Sequence, residues 1–531
     1  MKNYLISFFI IFINFQLESQ IWKPDLENGT YKNPIIYADY SDPDVVKAGD
    51  DFYMTASSFN CVPALPILHS KDLVNWKLIN YAIKEFNDPD FDIPQHGNGV
   101  WAPSIRFYNE YFYIYYGDPD RGIFMVKTKD PYGEWTKPVL VKKACGNIDP
   151  CPLWDDDGKV YLVHAFAHSR AGVKSLLQVN KMNKEGTKTI DKGYIVFDGH
   201  KDHYTIEGPK FYKRNGYYYI FAPAGGVKTG WQTVLRSKNI YGPYQDKIVL
   251  HQGNTEINGP HQGALIELES GESWFIHFQD KAAYGRIVHL QPVQWINDWP
   301  VIGKDINNDN IGEPVLTYNK PSIDYSEPYT GLSESDEFNG NIGLQWQWHA
   351  NPKKGWTKND QDNKNLILNC VKKSETSNNL WDIPNLLLQK FPAPSFSATV
   401  KLTTDNFKNG DQCGLLVMGE DYAYISLKFK ESKLFLSQVE CIKAYENNNE
   451  NINNQIELNQ QSIYFKVKVT EKTECTFYYS IDGNNYSQLG NKFHAKPGRW
   501  IGAKVGIFAI GDNSSENIGS AKFDWFRVDN Y

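Results

Sequence analysis

Apolar and polar positions along the chain alternate in short runs broken by turn residues, and one run returns five times. The copies read DDFYMTASS (50–58), NEYFYIYYG (109–117), DGKVYLVHAF (157–166), NGYYYIFAPAGG (215–226) and GESWFIHFQD (271–280). Each opens on Asp, Asn, Gly or Glu and continues into an aromatic-rich strand. Their starts lie roughly 50–60 residues apart, room for one four-stranded sheet per copy. The pattern predicts a five-bladed β-propeller over residues 21–318. The stretch 314–335 is rich in Pro, Ser, Thr and Tyr without a period, and 319–335 reads as a linker. A second alternation begins at Asp336, in segments such as 386–402, 413–419, 422–429, 464–470, 475–483, 503–511 and 520–528. Period-two patterning in that many segments predicts an antiparallel β-sandwich over 336–531. The Asn-rich run 445–455 reads as a solvated loop. No convincing amphipathic helix interrupts either half, so the expected class is all-β.

The N-terminus departs from this pattern. Lys2 and Asn3 precede an apolar run from Tyr4 to Phe15, then a polar stretch with a small residue at Ser19. This predicts a secretory signal over residues 1–20 and an exported protein, periplasmic or extracellular. A buried N-terminal strand is the alternative. The run is too short to predict a membrane span. Net charge is −7 and aromatics make up 15% of the chain. No basic patch with interleaved aromatics is present, which argues against a nucleic-acid partner. The seven cysteines fit no zinc pattern. Cys145 and Cys151 bracket Asp149 and are candidates for a bridge, with separate buried thiols as the alternative.

Three acids stand upstream of three repeat strands: Asp42 in SDPDVV, Asp149 in NIDPCP and Glu207 in TIEGPK. In a propeller the first strand of each blade lies nearest the axis, so three acids at those positions would meet in one pocket. Asp-Pro alone is a common turn initiator, and 155–158 is a hairpin turn. The shared placement in three structural contexts is what points to chemistry.

The same residues carry a resemblance. SDPDVV with GDDFYMTASSF, GVWAPSI (99–105), IDP before DDDGK, IEGP before NGYYYI and GRIVHLQPVQW (285–295) resemble glycoside hydrolase family 43, the β-xylosidase and α-L-arabinofuranosidase group, in the family's order. DEFNGNIGLQWQW (336–348), GRWIGAKVGIFA (498–509) and FDWFRV (523–528) resemble the concanavalin-like sandwich that accompanies some members. The resemblance implies an inverting mechanism with Asp42 as general base, Glu207 as general acid and Asp149 holding up the acid's pKa. Asp44, two residues on in an extended segment, is the competing base. Arg286, Trp101, Phe59 and His261 are the implied substrate-pocket residues, His261 near an axial ion or water. Phe508 is the implied aromatic lid from the sandwich. Asp336, Glu337 and Asp524 are candidate ligands of a structural calcium, with ordinary surface acids as the alternative. No cofactor is implied for the chemistry. The expected activity is release of terminal xylose from β-1,4-xylo-oligosaccharides. The alternatives are an α-L-arabinofuranosidase acting on arabinose side chains of arabinoxylan or arabinan and, from another class, a non-catalytic sugar-binding propeller.

Overall fold

Each of the five aromatic runs forms the second strand of a four-stranded antiparallel sheet. Residues 20–325, 331–360, 364–373, 377–512 and 518–530 are described by the computed structural model. The predicted signal segment therefore lies, but for Gln20, outside the described residues. Blade one comprises Asp44–Ala48, Asp51–Thr55, Ala64–Ser70 and Lys77–Ile83. The first strands of the other four blades are Trp101–Tyr108, Asn147–Trp154, Lys210–Arg214 and His261–Glu267. First strands of successive blades touch from blade one to blade four, and that of blade five returns to blade one.

The aromatic character of the second strands has a packing cause. Each is buried on both faces, so neither face is polar. In blade two, Phe112, Ile114 and Tyr116 pack toward blade one, whereas Tyr113 and Tyr115 pack toward blade three. Blade four repeats this, with Ile220 and Ala222 facing blade three, and Tyr219 and Phe221 facing blade five. Alternate side chains of a strand point to opposite faces, so one strand supplies two inter-blade cores. The ring is closed by the N-terminal segment. Ile36 pairs with Val288 of blade five, and the Asn33 side chain bonds both N–H and C=O of Leu290. Strand Thr30–Lys32 pairs with Thr317–Asn319.

The second domain is a sandwich of two eight-stranded sheets. The run 386–402, which the alternation joins into one strand, is two. Leu387–Lys390 lies in one sheet and Phe396–Asn406 in the other. Pro392 and Pro394 lie between them, where a missing N–H ends the first ladder and lets the chain change sheets. The Asn-rich run is not a loop throughout. Asn451–Leu458 is an edge strand on Lys433–Cys441, its backbone paired on one side and its side chains largely exposed.

The domains meet along a mixed seam. Val62 and Trp348 exchange backbone hydrogen bonds of 3.0 and 2.6 Å. Lys504 donates to Cys61 Sγ and Gln347 Oε1, and the Tyr284 hydroxyl bonds the Pro394 and Thr470 carbonyls. A Cβ on Gly502 would stand 2.7 Å from the Gly285 nitrogen, so the two backbones touch where only glycine fits. All seven cysteines are free thiols, and Cys145 is exposed while Cys151 is buried. The candidate bridge between them is not formed, because Cys151 Sγ turns inward to Arg106 Nη2 at 2.9 Å.

Candidate active site

One backbone device places two of the three acids and stands next to the third, Glu207. Asp42, Ala102, Asp149 and Gly208 each precede a proline, and each has a positive φ, of 55, 21, 57 and 60°. In blade five Gln262, at φ 39°, takes the same place before Gly263. The kink falls at the head of each first strand. It appears as a register shift in blades two, three and five. Non-glycine residues in this region cost roughly 1–3 kcal/mol each, a strain the surrounding ring has to hold. What the kink does is turn the side chain before the proline toward the mouth of the ring.

Asp42 is 5% exposed and held by three side chains. Its Oδ2 accepts from Ser41 Oγ at 2.7 Å and from Ser57 Oγ at 2.6 Å. Arg286 Nη1 lies 3.2 and 3.3 Å from the two carboxylate oxygens and also donates to Ser41. Asp149 is buried, and its Oδ2 accepts from the Gly208 N–H at 2.7 Å. That contact sets it beside Glu207. Burial, then the charges of Glu207 and Asp42, push the Asp149 carboxyl well above its usual value. Glu207 is the open member, with a side chain 35% exposed and Oε1 3.2 Å from His261 Nε2. The three acids therefore converge, as their placement at the heads of blades one, three and four requires.

Asp44 does not compete. It is fully buried, bonding the Ile105 N–H at 2.7 Å and Arg106 Nη1 at 2.6 Å. The kink at Asp42 and the following proline put successive acids on opposite sides, one in the mouth and one in the wall.

Arg286 is buried beside Asp42, its guanidinium over the Phe278 ring at 4.9 Å and the Trp500 ring at 5.9 Å. Trp101 is partly exposed, donates to the Gly97 carbonyl, and meets Phe59 edge-on at 6.4 Å. Phe59 itself is 3% exposed. Phe508 is not the lid. It is fully buried, 5.1 Å from Tyr424 and opposite Gly414, in a cluster with Leu388, Leu416 and Ile510 on the sheet face away from the inter-sheet core. Strand Lys504–Gly511 is buried along its whole length: Val505, Ile507 and Ala509 face the core between the sheets, and Phe508 and Ile510 are covered on the other face. The residue that reaches the propeller is Trp500, on the loop before that strand. It is 47% exposed, and its ring stands 6.3 Å from Trp101. A Cβ on Gly97 would collide with Arg499 Cγ at 2.6 Å, so the sandwich loop presses on the propeller rim. The resulting cleft is lined from the propeller by Lys228, Asn258, Asp280 and Arg286, and from the sandwich by Arg499 and Trp500. Ser57 and Trp500 were both missed in the sequence, although each sits in a quoted motif, TASS and GRW.

The candidate calcium ligands do not converge. Asp336 accepts from Phe338 N, Gly343 N and Trp346 Nε1, Glu337 pairs with Arg527, and Asp524 pairs with Lys401. Each carboxylate already has its partners, and among the described residues no group of three or more His, Cys, Asp or Glu could hold a metal ion. These residues do not fit a structural calcium.

A propeller with paired carboxylates at its axial mouth, roofed by a sandwich, defines a glycoside hydrolase. The chain belongs to glycosyl hydrolases family 43, which matches residues 31–300, and residues 335–529 match the beta xylosidase C-terminal concanavalin A-like domain. A protein of Xylanibacter ruminicola is 38% identical over 493 residues, 91% of this chain and 86% of its own. A Formosa agariphila protein named beta-xylosidase is 30% identical, covering 95% of this chain and 91% of that one. A Bacteroides ovatus protein named non-reducing end alpha-L-arabinofuranosidase is 29% identical, covering 94% and 95%. Among solved structures, a family 43 protein of Bacillus licheniformis superposes with a TM-score of 0.81 at 26% identity, covering 94% of this chain and 100% of that one.

Proposed function

We propose that the protein removes terminal xylose from β-1,4-xylo-oligosaccharides by single displacement with inversion. The observation that carries an exo mode is Trp500, which stands across the mouth from Trp101 and above Arg286. A roof on the pocket leaves room for a chain end rather than for a chain passing through. Asp42 is the general base on water. Ser41, Ser57 and Arg286 fix its carboxylate, so that one lone pair is aimed rather than free to rotate. Glu207, the most open of the three acids, protonates the departing oxygen, and His261 positions it. Asp149 sits behind Glu207 and supplies the repulsion that keeps a proton on the pair. Both the sequence and names of relatives support the xylose reading.

The second reading, an α-L-arabinofuranosidase, is favoured by the Bacteroides ovatus relative. Kinetics of the purified protein on p-nitrophenyl β-D-xylopyranoside and p-nitrophenyl α-L-arabinofuranoside decide between them. A higher kcat/KM on the arabinoside overturns the first reading. No activity on either returns the propeller to sugar binding. The charged start, apolar run and Ser19 also support export, and N-terminal mass spectrometry of the protein made in a secreting host tests it. A mature chain still carrying Lys2 refutes it.

A further inference from the structure

Asp39 lies where the arginine of the mouth, the propeller and the sandwich meet. It is 4% exposed, and its two carboxylate oxygens serve different domains. Oδ1 accepts the Arg286 N–H of the propeller at 2.9 Å, and Oδ2 accepts the Gly502 N–H of the sandwich at 3.0 Å. Two glycines make the approach possible. A Cβ on Gly285 would stand 2.5 Å from Asp39 Cγ, and one on Gly502 would stand 2.7 Å from the Gly285 nitrogen. A carboxylate accepts at both oxygens, whereas an amide accepts at one end and donates at the other. Two N–H groups converging from two domains on one buried side chain therefore call for Asp rather than Asn. Among the described residues no ion pair joins Asp39 to a cation, Lys390 being the positive charge nearby. A buried charge is costly unless its hydrogen bonds are made, and these two donors supply them.

Each donor leads to a part of the catalytic mouth. Arg286 opens the strand Arg286–Ile296. Its carbonyl accepts the Tyr40 N–H at 3.1 Å, and its guanidinium reaches Ser41 and Asp42. Residues 39–42 thus hold the arginine at its N–H, its C=O and its side chain, in chain order. Gly502 stands at the base of the turn 498–501, which the Gly498 N–H closes on the Ile501 carbonyl at 2.9 Å. Trp500 is near the tip of this turn with φ 63°, a left-handed position that a non-glycine residue keeps only where its surroundings hold it. Two bonds tie the base of the turn to the propeller: the Gly502 N–H on Asp39, and the Ala503 N–H on the Ala283 carbonyl at 2.7 Å.

We infer that Asp39 is a positioning residue for the reaction, a clasp that sets the roof residue Trp500 in register with Arg286 and the base Asp42; this rests on Trp500 roofing the mouth and not on which sugar is released. The two arms of the clasp differ in strength. Arg286 keeps its bonds to Tyr40, Ser41 and Asp42 when Asp39 changes, whereas Gly502 sits on a loop of the other domain. Asp39→Asn keeps an oxygen on Arg286 and turns an NH2 group on the Gly502 N–H, so the roof yields first. Asp39→Ala frees both arms.

The test is a double-mutant cycle with Trp500→Ala, read by steady-state kinetics on whichever of the two aryl glycosides the parent hydrolyses faster. Asp39→Asn should raise KM about three- to tenfold and leave kcat within about twofold. In the Trp500→Ala background the same change should move KM by less than about twofold, because the roof it acts through is gone. Asp39→Ala should add a fall of about tenfold in kcat, since Arg286 then shifts against Asp42, and that fall should persist without Trp500. Gly502→Ala pushes the turn off Asp39 from the sandwich side and should reproduce the KM rise, so the cycle can be run even where Asp39→Ala does not fold. A purely structural Asp39 would lower Tm but would not lose its kinetic effect when Trp500 is removed. KM effects of Asp39→Asn and Trp500→Ala that add in full, or a KM unmoved by Asp39→Asn, overturn the clasp while leaving the proposed activity standing. A parent inert on both glycosides overturns that activity, and the clasp with it.

Discussion

Trp500 of the sandwich and Trp101 of the propeller face one another at 6.3 Å and 66° across the catalytic mouth. One ring comes from each domain, so neither domain alone makes the pocket. Trp500→Ala is expected to lower kcat/KM on xylobiose by about ten- to thirtyfold, the equivalent of ~1.4–2 kcal/mol. The fold should survive, because the side chain is half exposed. Phe508→Leu should do the reverse, lowering Tm and leaving substrate range intact. Steady-state kinetics and thermal melts of both variants check this. A Phe508 variant that selectively loses activity on chain ends restores it as the lid.

Asp42 and Asp44 are separated by one proline and by their roles. Asp42→Asn is expected to keep the parent Tm and lose activity. Asp44→Asn leaves Arg106 without its carboxylate inside the wall and should lower stability by about 3 kcal/mol or more. Denaturant melts beside initial rates distinguish the two. Similar melts for both variants contradict the assignment.

Glu207→Gln should nearly abolish hydrolysis of xylobiose, whose leaving group is a sugar alkoxide. An aryl xyloside with an acidic phenol should suffer far less, since it departs without a proton. General acid catalysis contributes about 10²–10⁴-fold, so the two losses are easily told apart. Asp42→Asn should harm both substrates alike. Equal losses for Glu207→Gln exclude Glu207 as the acid.

Asp149→Asn keeps the bond from the Gly208 N–H and removes the buried charge. Without that charge the proton leaves the catalytic pair more easily, so the basic limb of the pH–rate profile moves to lower pH. Stability changes in the opposite sense. Asp149 has a raised folded value, so its contribution is fully present below its unfolded value and is lost as pH rises through the folded one. The Asn variant lacks that loss and should melt higher than the parent at neutral and alkaline pH. An unmoved basic limb with full activity reduces Asp149 to a structural turn.

NMR of the first-formed sugar is expected to show α-xylose from a β-xyloside, because one displacement on water inverts the anomeric centre. A first-formed β anomer rules out Asp42 as the base.

Much of this was legible in the chain because repeats and local patterns carry it. The five aromatic strands are readable since each must be apolar on both faces to serve two neighbouring blades, and the acids are readable since they sit at matching offsets from those strands. What escaped depends on the path of the chain between elements. Nothing local distinguishes Phe508, in a strand buried end to end, from Trp500, on a loop eight residues earlier that reaches another domain. The apparent strand 386–402 hides a change of sheet at two prolines. The Asn-rich run hides an edge strand, whose pairing is made by backbone and leaves no trace in side-chain polarity. Glu337 and Asp524 looked like free oxygen donors because their partners, Arg527 and Lys401, are distant in sequence, and Asp336 because its partners are two backbone N–H groups and an indole, which carry no charge signal.

The kink that precedes the proline at the head of the blades carries Asp42, Ala102, Asp149 and Gly208 in turn, with Gln262 in the fifth place. The mouth is thus a five-position socket in which the backbone is constant and only the tenant changes. Two tenants, Asp42 and Asp149, are acids, while Ala102 brings no chemistry and Gly208 no side chain. Position 102 is then the place to try a new group in the enzyme, since its backbone already carries the positive φ that the acids occupy at 42 and 149 and its N–H already bonds Ser57 beside Asp42.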